Sequence, residues 1–187
     1  MRQLSSVVLA RRGPIAATLA LALVFLAGGS VWAAEDERPN APLVGAWTVQ
    51  VTPRNCDTGS PVGPTSRSLV TFHGDGTISE AAGSVAFAPG QRSPGHGAWA
   101  RQGRRTYSQS MVALMIFTTA PNLPGTPGFD PSLPVSPGFA AGWQTVSHTL
   151  TLTDADHATS TGTTAFYDVD GNVYRTGCST AVAGRFQ

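Results

Sequence analysis

The sequence predicts an all-β fold, an eight-stranded antiparallel up-and-down meander barrel, preceded by an export signal. Three observations predict it. Short stretches of β-branched and aromatic residues alternate with Gly, Pro, Asn and Asp clusters, while helix signals are almost absent. Four pairs of successive stretches are joined by brief turns, and two cysteines, Cys56 and Cys178, fall just beyond the end of the first stretch and early in the last.

The chain divides into three parts. Residues 1–33 read as a cleavable signal peptide: Arg2, Arg11 and Arg12 supply the positive n-region, and Pro14 to Gly29 forms an uncharged apolar run too short to anchor in a membrane. Val31-Trp32-Ala33 places small residues where cleavage after Ala33 requires them. Residues 34–42 form a flexible leader, and residues 43–187 the single β domain. Loss of the three signal arginines moves the formal net charge from +1 to −2, which points to neither nucleic acid nor a membrane as partner. All 12 cationic residues are arginine, so Schiff-base chemistry, which needs a side-chain amine, is excluded.

The predicted strands are Val44 to Thr52, Ser66 to His73, Thr77 to Ala82, Gly95 to Arg101, Arg104 to Thr118, Gly142 to Thr153, His157 to Tyr167 and Val173 to Phe186. Gly74-Asp75-Gly76 and Asp170-Gly171 carry hairpin chemistry, because these residues tolerate the positive φ of tight turns. Gln102-Gly103 and Asp154-Ala155-Asp156 are weaker turns of similar length.

Alternation is clearest in the sixth strand, with Val146, His148, Leu150 and Leu152 on one face and hydroxyl residues on the other. The fifth strand departs from this pattern, since Met111 to Phe117 is apolar on both faces. Its outer side needs a cover, and the expected one is the long Pro/Gly-rich loop 119–141, with Phe129, Leu133 and Phe139. The alternative is a homodimer interface formed by the same strand.

Closing the sheet removes its exposed edges. In an exported domain the two cysteines are expected to form a disulfide, and an antiparallel pairing of first and last strands would bring them together. The same pairing brings Trp47 close to Arg185 for a cation–π contact at the barrel's base. Gly45-Ala46-Trp47 with Arg185 resembles the Gly-X-Trp signature and packing arginine of lipocalins and the wider calycin group. That resemblance implies a lipocalin-like eight-stranded barrel, an internal ligand cavity and secretion. The segment Arg92 to Trp99 is similar to that of secreted bacterial barrel proteins, and Gly97-Ala98-Trp99 repeats the pattern on the fourth strand. The Thr-Asp-Tyr type motif of lipocalins and their C-terminal helix have no counterpart in the sequence.

Among residues that carry chemistry, His148 should point inward, either orienting a ligand, acting as a general base, or bonding to a neighbouring Thr or Tyr as a satisfied core histidine. Glu80 shares a face with Ile78 and Ala82; outward it is an ordinary surface carboxylate, inward it would need Arg101, Tyr107 or a ligand. His73, His96 and His157 fall on separate elements without metal-ligand spacing, so neither a metal nor a cofactor is expected. No catalytic motif occurs.

The leading functional expectation is a secreted or periplasmic, non-catalytic barrel binding a small hydrophobic or amphipathic ligand. Its expected wall includes Val146, His148, Leu150, Met111, Met115, Glu80 and Tyr107. Two other readings stay open: a structural or interaction protein with a packed interior, and an isomerase- or cyclase-type enzyme on the same scaffold.

Overall fold

The computed structural model describes residues 42–186. The expected signal peptide and nearly all of the leader lie outside the described residues. Eight strands follow one another: β1 (Gly45–Arg54), β2 (Ser66–Phe72), β3 (Thr77–Gly83), β4 (Gly95–Arg101), β5 (Thr106–Met115), β6 (Gly142–Leu152), β7 (His157–Asp168) and β8 (Val173–Arg185). Each pairs antiparallel with its neighbour in sequence, and β8 pairs with β1, closing the barrel. The Asp-Gly turns behave as expected, with Gly76 at φ 87° and Gly171 at φ 86°.

Closure runs from Trp47 opposite Arg185 to Arg54 opposite Cys178. Cys56 lies two residues beyond Arg54, in the turn that follows β1, and bonds Cys178 from there, with Cα atoms 5.2 Å apart. The Arg185 guanidinium stacks 4.4 Å from the Trp47 ring centroid. It also donates to the carbonyls of Val44 (2.8 Å), Ala155 (3.1 and 3.2 Å) and Pro42, and pairs with Asp156 at 3.2 Å. These contacts join the first strand, the last strand and the β6–β7 turn.

Period-two alternation sorts every strand into an inner and an outer face. At the end where β1 begins, the inner residues fill the barrel: Trp47, Phe72, Ile78, Trp99, Tyr107 and Leu152 are buried together. Trp99 meets Phe72 and Tyr107 edge to face at 6.3 and 5.7 Å. The indoles of Trp47 and Trp99 donate to the carbonyls of Leu43 and His73 at 2.9 and 3.0 Å, so neither N–H is left unpaired in this apolar base.

The opposite end carries the long connections, and here one expectation is corrected. Strand β5 ends at Met115, and its outer residues Val112 and Leu114 are exposed, as is Ile116 beyond it. The 119–141 segment does not cover them. It folds over the barrel mouth as an irregular hairpin, bridged at Thr119 with Phe139 and at Asn122 with Ser136. The Asn122 amide donates to the carbonyls of Asp130, Leu133 and Pro134, which gathers the proline-rich tip around one side chain. The mouth offered one of the flap's aromatic residues a better burial site: Phe139 packs there with Phe166 and Met115.

Cys56 and Cys178 are 122 residues apart, and a cross-link over such a loop stabilises by about 4 kcal/mol in the chain-entropy model. Replacing both with Ala should lower the unfolding free energy by about 2 to 5 kcal/mol. Urea titration of wild type and the double variant measures this; equal midpoints would contradict a structural role for the bond.

Candidate functional site

Between the packed base and the flap lies a cavity of about 510 Å³. Val49, Val51, Val70, Met111, Val146 and Leu150 contribute apolar wall, and Phe139, Leu123 and Val135 reach in from the flap side. The volume falls within the usual range for small-molecule sites, about 300–1,000 Å³.

Two polar groups are built into this wall at different heights. The upper one centres on Glu80 and Arg92, whose side chains are only 8 % and 6 % exposed. Arg92 Nη1 lies 2.8 Å from Glu80 Oε2, and Ser68 Oγ donates to Glu80 Oε1 at 3.0 Å. Arg92 Nε donates to Gln144 Oε1 at 2.6 Å, and Gln144 Nε2 donates to Thr164 Oγ1 at 3.0 Å. Strands β2, β3, β6 and β7 are thus linked through one arginine from the β3–β4 connection. Gly95 makes the arrangement possible, since a Cβ there would stand 2.7 Å from Glu80 Oε2.

The lower group centres on His148. Its Nδ1 and Nε2 are each 2.9 Å from a serine hydroxyl, Ser160 on β7 and Ser179 on β8. A neutral imidazole donates from one nitrogen and accepts at the other, so both of its hydrogen-bonding positions are used. Burial holds the His148 pKa below its ordinary value of 6.5. The ring leans over Gly162, its cross-strand partner, where any Cβ would overlap it.

Above these groups, Arg175 on β8 ties the flap to the barrel. It donates to the carbonyls of Gly138 (2.9 Å) and Pro137 (3.2 Å), and its guanidinium stands 4.8 Å from the Phe139 ring centroid. Gln91, fully buried, donates to Phe117 O and Thr119 Oγ1 at 3.1 and 2.9 Å, fixing the flap's root.

Five of the seven residues expected in the wall line the cavity: His148, Val146, Leu150, Met111 and Glu80. Two do not. Tyr107 has the expected inward face but sits one level too low, packed against Trp99 in the base. Met115 sits too high, packed with the mouth aromatics. Neither Arg101 nor Tyr107 is the partner of Glu80; Arg92 is. Likewise His148 is satisfied by serines rather than by Thr or Tyr. Sequence reasoning missed Arg92, Gln144 and Arg175, although the small residue Gly95 opposite Glu80 was a usable sign of space reserved for a side chain. Among the described residues no three His, Cys, Asp or Glu side chains converge as metal ligands.

Fold and site together define a closed, antiparallel eight-stranded β-barrel with a polar-studded internal cavity, consistent with a lipocalin-like architecture. No protein-family model matches the chain, and no curated protein matches it.

Two outcomes follow from the polar groups. Because His148 is protonated more readily when unfolded, its contribution to stability is complete above about pH 6.5 and is lost as pH falls through the lower folded value. Urea midpoints between pH 8 and 5 should decline, and His148→Gln should decline less; parallel curves would refute this. Separately, Arg92→Met should cost about 3 kcal/mol by stranding a buried carboxylate, and adding Glu80→Leu should restore most of it. A double variant no more stable than the single one would show that the pair is not energetically coupled.

Proposed function

We propose that this chain is a secreted, non-catalytic carrier of the lipocalin-like, calycin type, holding one small apolar or amphipathic molecule inside the barrel beneath the flap. The observation that carries this reading is the cavity of about 510 Å³, walled by valine, leucine and methionine side chains and roofed by Phe139. A void of this size sacrifices dispersion contacts that a packed interior would have, and an apolar guest restores them. The stacking of Arg185 on Trp47 beside Gly45-Ala46 supports the calycin comparison. The disulfide is consistent with an oxidising compartment, and so with export.

The catalytic alternative draws less support, because both nitrogens of His148 are engaged by serine hydroxyls. Exposed Val112, Leu114 and Ile116 favour a second reading, in which β5 serves as a homodimer interface; it is compatible with a filled or an empty barrel.

Titrating the mature protein with the neutral dye N-phenyl-1-naphthylamine should give saturable fluorescence enhancement with one site per chain. Val146→Trp, which fills the cavity, should weaken it at least about tenfold, the loss of about 1.4 kcal/mol. No enhancement, or the same curve for the variant, would defeat the carrier reading.

A further inference from the structure

Among the described residues, three buried side-chain polar atoms have no hydrogen-bond partner: Glu80 Oε2, the Tyr107 hydroxyl and Gln109 Oε1. Glu80 Oε2 is compensated by its ion pair with Arg92. Tyr107 is sealed in the base. Gln109 is different, because it lines the cavity.

Gln109 lies on the inner face of β5, between Tyr107 in the base and Met111 in the wall, which places it at the cavity's deep end. Its cross-strand partner on β6 is His148. The contrast between the two is informative. His148, Ser160 and Ser179 satisfy one another, and Glu80, Arg92, Gln144 and Thr164 do the same. Buried amides are ordinarily satisfied, and a native group left unpaired calls for an explanation. The last torsion of a glutamine side chain is broad and roughly two-fold, so turning the amide over presents either its oxygen or its NH₂ to the void.

The geometry points to Gln109 as the anchor for the polar end of the bound molecule, which enters with that end deep and its apolar body toward the mouth. This inference rests on the carrier reading above and specifies the ligand class. A primary amide both donates and accepts, so it is complemented by a group that does the same: a hydroxyl or an amide. An ionised head is disfavoured at this level. Glu80 and Arg92 neutralise each other, burial disfavours the charged form of the neighbouring His148, and the cavity's other cations, Arg54 and Arg175, stand at the mouth end rather than beside Gln109. A carboxylate there would be desolvated without a counter-charge. The ligand is therefore an uncharged amphipathic molecule such as a long-chain alcohol or amide, rather than a fatty acid anion.

The test compares 1-decanol, undecane and decanoate at pH 8, each displacing N-phenyl-1-naphthylamine from wild type and from Gln109→Leu. Wild type should prefer 1-decanol to decanoate, and the variant should lose about tenfold in decanol affinity, the order expected for one hydrogen bond to a buried amide, while undecane affinity stays the same or rises. Thermal unfolding of the variant checks that it folds, and the three-probe comparison on wild type stands without it. Tighter binding of decanoate would overturn the uncharged head. Equal losses for decanol and undecane, or no loss for either, would mean that Gln109 does not read the head group and that water satisfies it instead. If no probe displaces the dye, or the dye itself fails to bind, the carrier reading falls as well.

Discussion

The structure depends on the antiparallel pairing of β1 with β8. Without it the chain would be a twisted open meander with two long edges, each exposing unpaired N–H and C=O groups. The pairing is secured differently at its two ends. At the base Arg185 stacks on Trp47 and caps carbonyls from the β1 approach and the β6–β7 turn. At the mouth the Cys56–Cys178 bond holds the strands where β1 has turned away. A planar guanidinium suits the first task because its donors fork toward several carbonyls at once. A covalent bond suits the second, where the ladder has ended and no further backbone pairs are available.

Closure creates an inside that is not uniformly apolar. A buried polar side chain left without a hydrogen bond is costly, so most inward polar groups pair with one another, Gln109 and the Tyr107 hydroxyl being the exceptions. This condition explains the distances within the wall: Glu80, Arg92, Gln144 and Thr164 form a chain of contacts, and His148 is shared between two serines. Such groups add little net stability compared with apolar residues of equal volume. What the distances show is that they tie side chains on neighbouring strands to one another around the void. Two glycines supply the room, Gly95 facing Glu80 and Gly162 facing His148.

Much of this was legible in the sequence, for physical reasons that also mark where legibility ends. Strand period gives face, so His148, Val146 and Leu150 were assignable to the interior from alternation alone. Turn residues give order, and order with paired cysteines implies closure. Period does not give height along the barrel, which is why Tyr107 and Met115 were assigned to the cavity when one belongs to the base and the other to the mouth. Nor does it reach irregular segments. Arg92 lies in the β3–β4 connection and Phe139 in a proline-rich loop, and the destinations of both are set by tertiary burial. The exposed outer face of β5 makes the same point: its apolar residues suggested a cover, while the loop's Phe139 found deeper burial at the mouth.

The wall and the flap differ in how their contacts are distributed, and this bears on how the interior communicates with solvent. Continuous ladders join all eight strands, so opening the wall means breaking many backbone hydrogen bonds together. The flap has two isolated bridges within itself, and it is held by Arg175, by Gln91 at its root, by Ser136 on the Ala86 carbonyl, by Tyr174 on the Ala140 amide and by packing of Phe139 on Phe166. Of its carbonyl contacts with Arg175, the one at Pro137 is exposed and the one at Gly138 partly buried. Local opening follows the lowest density of buried contacts. The mouth is therefore where opening would break the fewest backbone ladders, and the Arg175 contacts to Gly138 and Pro137 are among those that would have to be released.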